Sequence, residues 1–305
     1  MKRNSNSKAL ALGHSGMVDT HTPLEKVVDV IIIILMALVA FASVVPLWHC
    51  LVSSISDGKS LMQHEGLVLI PVGKMNLSGY RLTFRDSSIM MGYLNTILYV
   101  AGNVAVGTVL NVIGGYVLSR RTKLRSPLTA LVVFTMIFTG GTVPLYMVCR
   151  SLGMVGTRWA LILPHCTNAS FIIMSVKGFE SVPKSTEEAA RIDGAGHLRV
   201  IFQVMFPQCF SFFLVTMVNT AIIAWNAWLS AAIYVPSDKS KWPLQLWIKE
   251  LVANNSEFMN WSNPDYSRYL IQYCVISIAT LPLIMAFPLF IKRLEKGMAQ
   301  GAEKG

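Results

Sequence analysis

The sequence predicts an all-α integral membrane protein with six transmembrane helices. Of its 305 residues, 53% are hydrophobic and 14% are charged, and the mean hydropathy is +0.52. Soluble domains carry about a quarter charged residues, so this composition excludes an ordinary soluble fold. Six apolar stretches are each long enough to cross a hydrocarbon core of about 30 Å. A polar stretch at 185–207 separates the fourth from the fifth.

The six apolar stretches cover 27–52, 93–119, 128–148, 159–176, 210–234 and 269–291. The first is longer than the core of a cleaved signal peptide, which predicts a retained span. Pro164 and Asn168 interrupt the fourth, which is tolerable where a protein neighbour covers the helix. We therefore expect a polar N-terminal tail at 1–26, a membrane domain at 27–291 and a flexible C-terminal tail at 292–305.

The distribution of basic residues predicts the orientation. With the N-terminus inside, sixteen of the 26 Lys and Arg residues fall on inner segments and ten on outer ones. The short segment 120–127 carries four of them and no acid. By the positive-inside rule, both termini and the polar stretch 185–207 lie in the cytoplasm. The outer segments 53–91, 149–158 and 235–268 are long enough to hold short surface helices and to receive a soluble partner.

The predicted spans carry almost no charge. Asp29, near one end of the first, is the nearest exception. Ion-coupled carriers need ionisable groups inside the membrane, so a self-powered carrier is disfavoured. Gly58-Lys59-Ser60 lacks the upstream glycine of a phosphate-binding loop. No metal-binding pair or catalytic dyad is visible, so we expect no enzyme activity and no metal site. If the chain moves a solute uphill, another chain must hydrolyse the nucleotide.

The polar stretch 185–207 predicts two short helices joined by a glycine turn. Ser185 and Glu188 have the spacing of a capping box, which starts a helix at Thr186. Gly194 suits a left-handed stop. A second amphipathic helix then runs to Pro207. Its apolar side is formed by Leu198, Ile201, Phe202 and Met205.

Glu188-Ala189-Ala190, Gly194 and the closing segment 204–207 together resemble the EAA signature of binding-protein-dependent ABC importer permeases. The chain departs from that pattern with Val204 and Phe206, which keep apolar bulk. The resemblance implies a cytoplasmic hairpin at 185–207 that couples an ATPase subunit to the spans. An amphipathic loop on the lipid surface is the alternative, but such a loop is richer in Lys and Arg. The implied coupling residues are Glu187, Glu188, Ala189, Ala190, Asp193, Gly194 and Pro207.

The nearest subfamily by resemblance is the maltose and oligosaccharide type, found in the bacterial plasma (inner) membrane. Membership implies a homologous permease as a heterodimer partner, two ATPase subunits that bind ATP and Mg, and an extracytoplasmic solute-binding protein. It implies contact with membrane lipid and none with nucleic acid. The C-terminal segment 296–305 resembles an ending that reaches between the ATPase subunits. A permease for a non-sugar solute and a non-transport scaffold or receptor remain alternatives. Spans without counter-charges favour a neutral or weakly charged ligand.

Two groups of residues are candidates for the substrate path. Thr216, Asn219 and Asn226 share a helical face beside Trp225. Amides suit sugar hydroxyls and aromatic rings suit pyranose faces, whereas the same groups could instead bond neighbouring helices. The segment 140–146 resembles one in oligosaccharide permeases where a helix break borders the path, although close helix packing also explains its glycines. The full candidate set is Thr216, Asn219, Trp225, Asn226, Gly140, Gly141 and Tyr146.

Overall fold

A computed structural model describes residues 23–120, 122–253 and 268–302, and within these ranges all regular structure is helical. The chain divides into two units, 1–50 and 51–305. Helix α1, Pro23–Ser54, supplies all the described structure of the first unit and runs into the second. Most of the predicted N-terminal tail, residues 1–22, lies outside the described residues.

The second unit is a succession of helices of very different lengths. Three of them precede the basic segment 120–127: α2 Gly58–Gln63, α3 Ser78–Arg85 and α4 Ser87–Ser119. The central part contains α5 Arg125–Ile137, α6 Thr142–Ser151, α7 Trp159–Ile162 with a 3-10 turn Leu163–His165, and α8 Ala169–Ser181.

The polar stretch and the chain after it form the remaining helices. The first group is α9 Lys184–Ile192, α10 His197–Arg199, a π-helical segment Val200–Met205 and α11 Phe206–Gln208. They are followed by α12 Phe210–Trp225, α13 Trp228–Tyr234, a 3-10 turn Lys239–Lys241, α14 Leu244–Ala253 and α15 Arg268–Ala302.

Two described helices are long and apolar enough to cross a membrane: α1 over Lys26–Ser54, and α4. Three bent pairs of helices meet the same test when each pair is joined, which brings the total for the described residues to five. A shorter apolar helix covers Leu270–Ala286. The chain is thus a helical protein with the composition of an integral membrane protein.

Three of the six predicted spans are not single helices. The third is broken between α5 and α6, which are bent by 118°, and Gly141 occupies the break at φ +79. The fourth bends by 54° where the Asn168 side chain caps α8 by accepting from the Phe171 amide at 3.0 Å. The fifth was expected to be one helix over 210–234; this is wrong, because α12 ends at Trp225 and α13 begins only at Trp228.

The C-terminal segment also differs from expectation. We predicted a flexible tail at 292–305, yet α15 continues to Ala302. The stretch begins with Lys292, Arg293, Leu294 and Glu295, which are strong helix formers, so a helix that begins in the apolar run can continue into it despite Gly297 and Gly301. Residues 303–305 lie outside the described part of the chain.

Helix α4 is the packing centre of the second unit. It lies against α8, α12 and α14, and glycines allow the close approach to α8. A Cβ placed on Gly107 would lie 2.9 Å from the carbonyl carbon of Cys166, and one on Gly115 would lie 2.6 Å from the Ser175 Cβ. Small residues that let helix backbones approach are typical of helix pairs in membranes.

Candidate functional site

The polar stretch forms a helical hairpin, 184–208, whose first helix ends as its glycine predicts. Gly194 has φ +79, which favours glycine. The Ala195 amide donates to the Ala190 carbonyl and the Gly194 amide to the Arg191 carbonyl, each at 3.0 Å. This is the Schellman arrangement, which satisfies the last carbonyls of a helix. The predicted left-handed stop is confirmed.

The predicted start of the first helix is wrong. Helix α9 begins at Lys184, and its N-cap position is held by Pro183, without a side-chain cap bond. Ser185 therefore sits inside the first turn and forms no capping box. The backbone of Pro183, at φ −57, enters the helix directly because proline is pre-organised near that angle. The Thr186 amide donates to the Pro183 carbonyl at 3.1 Å.

The second helix differs from a regular amphipathic helix because part of it is π-helical. Pro207 lacks an amide hydrogen, so the carbonyl four residues earlier loses its donor. Just before it, the Phe206 amide donates to the Ile201 carbonyl, five residues earlier, as in the π-helical segment Val200–Met205. The helix continues past Pro207 to Gln208 rather than ending at the proline as predicted.

The wider π turn changes which side chains face inward. Val200, Ile201 and Met205 are buried, whereas Leu198 is 70% exposed and Phe202 is 40% exposed. The predicted apolar side of four residues is therefore only half correct. The buried members join an apolar cluster with α4, α8 and α12, which includes Val112, Phe179 and Phe213.

The two adjacent acids of the first helix differ in burial. Glu187 is 8% exposed, whereas Glu188 lies on the exposed side with Ala189, Asp193 and Gly194. Ala190 is half-buried against the apolar cluster. A helix turns about 100° per residue, so neighbouring side chains separate in this way once one face is docked. Of the predicted coupling residues, Glu187 and Ala190 are thus buried or half-buried, whereas Glu188, Ala189, Asp193 and Gly194 are exposed.

Glu187 is held by two arginines. Its Oε2 accepts a hydrogen bond from Nη1 of Arg120, which directly follows α4. Its Oε1 accepts from Arg191 Nε at 3.1 Å and forms an ion pair with Arg191 Nη2 at 3.0 Å. A hydrogen bond to the Tyr116 hydroxyl, and then the charge of Glu187, raise the pKa of Arg191 above its ordinary value. Arg191 therefore stays charged beside Glu187, a carboxylate with little solvent access that needs a charged partner.

Sequence reasoning missed Arg120 and Tyr116. The Arg120 guanidinium lies 4.1 Å from the centroid of the Tyr116 ring, and its Nη2 is 3.1 Å from the sulfur of Met205. Arg120 was used only as a marker of orientation. Its position immediately after a long apolar run was the available signal, since such a residue must find a partner at the end of its helix.

A second region surrounds the break between α5 and α6. A cavity of about 550 Å³ lies there, and its lining has no Asp, Glu, Lys or Arg. The candidates Gly140 and Gly141 line it, while Tyr146 stacks on Tyr234 with ring centroids 6.0 Å apart. On the wall, His165 Nε2 and Ser230 Oγ are 3.1 Å apart. His165, Ser230 and Tyr234 were not predicted as site residues, although Ser230 and Tyr234 lie near the end of the fifth apolar stretch and His165 lies next to Pro164, which interrupts the fourth.

The polar residues of the fifth stretch lie elsewhere and bond to their own helix. Thr216 donates to the Phe213 carbonyl at 2.9 Å, Asn219 to the Val215 carbonyl at 2.8 Å, and Asn226 to the Ile222 carbonyl at 2.9 Å. Trp225 packs edge-on against Tyr93, with centroids 6.0 Å apart. None of these four candidates lines the cavity at the helix break.

The chain is similar in sequence to a known protein family and to several named relatives. Residues 10–300 match the family model described as binding-protein-dependent transport system inner membrane component. The polygalacturonan/rhamnogalacturonan transport system permease protein YtcP of Bacillus subtilis (strain 168) is 31% identical, over 92% of this chain and 99% of that protein. The melibiose/raffinose/stachyose import permease protein MelC of the same organism is 26% identical, over 90% and 96%.

A solved structure is also similar. It belongs to a bacterial ABC transporter involved in the import of the acidic polysaccharide alginate, and it matches with a TM-score of 0.81 and 26% identity. The match covers 89% of this chain and 98% of that chain. The family match spans nearly the whole sequence, including the hairpin and the helix break. The chain therefore belongs to the family of binding-protein-dependent transport system inner membrane components.

Proposed function

We propose that this chain is the membrane-spanning permease subunit of an ATP-driven importer that moves a sugar or oligosaccharide. An extracytoplasmic solute-binding protein delivers the sugar, a homologous permease completes the pathway as a heterodimer, and two ATPase subunits supply the energy. The observation that carries the proposal is the hairpin. Its inner face, with Glu187 and Met205, packs against the helix bundle, whereas its outer face, with Glu188, is exposed and can contact a partner.

The outer face of the hairpin has the chemistry of a docking surface for a protein. Glu188 offers a carboxylate, and Ile192 and Leu198 are 86% and 70% exposed. A carboxylate beside exposed apolar side chains suits a cleft that has a basic residue at its rim. A helix that lies on an anionic lipid surface would present Lys and Arg instead. These features favour an ATPase subunit as the occupant.

In the described residues, the surroundings of Gly58-Lys59-Ser60 do not suit the phosphates of a nucleotide. This triplet forms the first turn of α2, and the Asp57 carboxylate accepts hydrogen bonds from the Ser60 amide at 3.0 Å and the Ser60 hydroxyl at 2.8 Å. The negative charge of Asp57 sits where a phosphate would have to bind. We place ATP and Mg on the partner ATPase subunits.

The cavity at the helix break is the proposed contact region for the sugar. Its lining carries no Asp, Glu, Lys or Arg, and Tyr234 forms part of its wall. Hydroxyl and imidazole groups can exchange hydrogen bonds with sugar hydroxyls, and an aromatic ring can cover an apolar sugar face. The named relatives transport both neutral and acidic sugars, so oligogalacturonides and raffinose are the first substrates to test.

The topology follows from the same proposal. We place six spans in the bacterial plasma membrane, with the third, fourth and fifth broken or bent. Both termini and the hairpin lie in the cytoplasm, as the sixteen inner Lys and Arg residues favour. Segments 53–91 and 235–268 face outward, where the solute-binding protein docks.

The test is uptake by the assembled complex. Glu188→Lys should abolish ATP-driven uptake of labelled oligosaccharide while the subunits still assemble, because it reverses the charge offered to the ATPase. Glu188→Asp keeps the negative charge at the same position and should leave most of the uptake intact. Full uptake by Glu188→Lys would contradict the proposal. Function of the chain without any ATPase would instead favour a scaffold or receptor.

A further inference from the structure

We propose that Arg120 is the positioning residue that links movement of the hairpin to helix α4 during transport. This inference rests on the proposed function, since it assumes that an ATPase moves the hairpin. It adds a specific connection inside this chain, between the element that the ATPase grips and a helix that spans the membrane.

Arg120 connects α4 to both helices of the hairpin. Its guanidinium rests on the ring of Tyr116, one turn earlier in α4, at 4.1 Å from the ring centroid. From there it donates to the Glu187 carboxylate of the first hairpin helix. It also lies 3.1 Å from the sulfur of Met205 in the second. One side chain, held in place by its own helix, therefore touches both arms of the hairpin.

The ion pair between Arg120 and Glu187 is shielded from water. The two side chains are 25% and 10% exposed, so their attraction is screened less than that of surface pairs. The neighbouring pair of Arg125 with Glu180 is more exposed, at 36% and 29%, and it joins the basic segment to α8 rather than to the hairpin. The chain thus offers a natural comparison between a pair that contacts the hairpin and one that does not.

Helix α4 can carry a displacement from this point. It is unbroken over Ser87–Ser119, a length of about 50 Å at 1.5 Å per residue. Near its other end, Asn95 Nδ2 donates to the Ser240 carbonyl at 2.7 Å and to the Trp242 carbonyl at 3.1 Å. The Tyr99 hydroxyl donates to the Lys241 carbonyl at 2.7 Å. A shift of Arg120 would therefore reach the turn Lys239–Lys241.

Tight packing makes a rigid shift of α4 the natural response. Gly107 brings α4 against the backbone of Cys166, shortly before α8, and Gly115 brings it against Ser175 in α8, which leaves little room for local bending. By contrast, three helix pairs are bent: α5 with α6 by 118°, Trp159–His165 with α8 by 54°, and the second arm of the hairpin, His197–Gln208, with α12 by 85°. Bent pairs can absorb a movement at their break, whereas a continuous helix transmits it.

The experiment uses the reconstituted complex with both permeases, the ATPase subunits and the binding protein, and labelled oligogalacturonides and raffinose as transported probes. Arg120→Gln and Glu187→Gln should each lower the number of sugars moved per ATP by about tenfold, a typical size for coupling between sites. ATP hydrolysis and subunit assembly should persist. Arg125→Gln, the matched control, should keep the wild-type ratio.

A double variant separates coupling from a general structural role. If Arg120 and Glu187 act as one contact, Arg120→Gln with Glu187→Gln should lose about tenfold, whereas independent roles would multiply to about a hundredfold. Tyr116→Phe keeps the ring and should retain most of the ratio; Tyr116→Leu should not.

Two results would overturn the inference: a wild-type ratio in Arg120→Gln, or an equal loss in Arg125→Gln. Loss of assembly in Arg120→Gln and Glu187→Gln alike would assign the pair to folding and also overturn it. If the wild-type complex moves neither probe, the proposed function fails instead.

Discussion

The close contact of α4 with α8 makes a sharp prediction about two adjacent glycines. A Cβ on Gly115 would lie 2.6 Å from the Ser175 Cβ and 2.9 Å from the Ser175 carbonyl carbon. Ordinary carbon contacts are about 3.5–4.0 Å, so Gly115→Ala must separate the helices by about 1 Å. Overpacking of this kind costs about 1–3 kcal/mol. At about 2 °C per kcal/mol, the Tm should fall by about 2–6 °C.

Gly114→Ala is the matched control, because its Cβ would meet only Ile172, at 3.6 Å. Replacing a helical glycine by alanine without a clash stabilises by about 0.5–1 kcal/mol. Thermal unfolding of the purified chain in detergent should therefore shift in opposite directions for the two variants. Equal shifts, or a rise in Tm for Gly115→Ala, would refute the close packing of α4 on α8.

Three further predictions concern the side chains of His165, Asp238 and Glu187. His165→Ala should raise the half-saturating sugar concentration about twofold to tenfold, as loss of one hydrogen bond does, and an unchanged uptake curve would remove this residue from the path. Hydrogen bonds from Lys241 and then Ser240 lower the pKa of Asp238 to about 2. The stability from Asp238 should be complete above its ordinary pKa of 3.8 and be lost as the pH falls toward 2. Asp238→Asn should remove that part of the pH dependence of Tm. Glu187→Gln should destabilise the chain by about 1 kcal/mol in denaturant titration because it leaves the partly exposed Arg120 and Arg191 without a charged acceptor, whereas Glu188→Gln should have no effect.

The helical class of the protein and the position of its hairpin could be predicted from the sequence. Apolar runs of about twenty residues report directly on burial in lipid, and Gly194 was identified because only a few positions need a left-handed turn. A break at Gly140-Gly141 was one of two explanations for these glycines and came from the resemblance to oligosaccharide permeases, whereas close helix packing was the other. The break after Trp225 was not predicted, since the segment 210–234 is mostly apolar and contains neither Gly nor Pro.

The inward and outward faces of the hairpin could not be predicted. Glu187 and Glu188 are the same residue type in adjacent positions, and only the docked position of α9 against Arg120 distinguishes them. The π segment before Pro207 shifted the apolar face for a similar reason: regular helical periodicity cannot anticipate a locally wider turn. Ser185 failed as a cap because Pro183 starts the helix earlier. In each case the surrounding structure, and not the local sequence pattern, decided which side chains are buried or where the helix begins.

The central claim is that the outer face of the hairpin contacts an ATPase subunit, and a photo-crosslink tests it most directly. A photoreactive amino acid at position 192, where Ile192 is 86% exposed, should form an adduct with the ATPase subunit in the assembled complex. The same substitution of Ile70, which is 77% exposed in the segment between α2 and α3, should form none. Adducts with lipid alone from position 192, or equal ATPase adducts from both positions, would contradict the account.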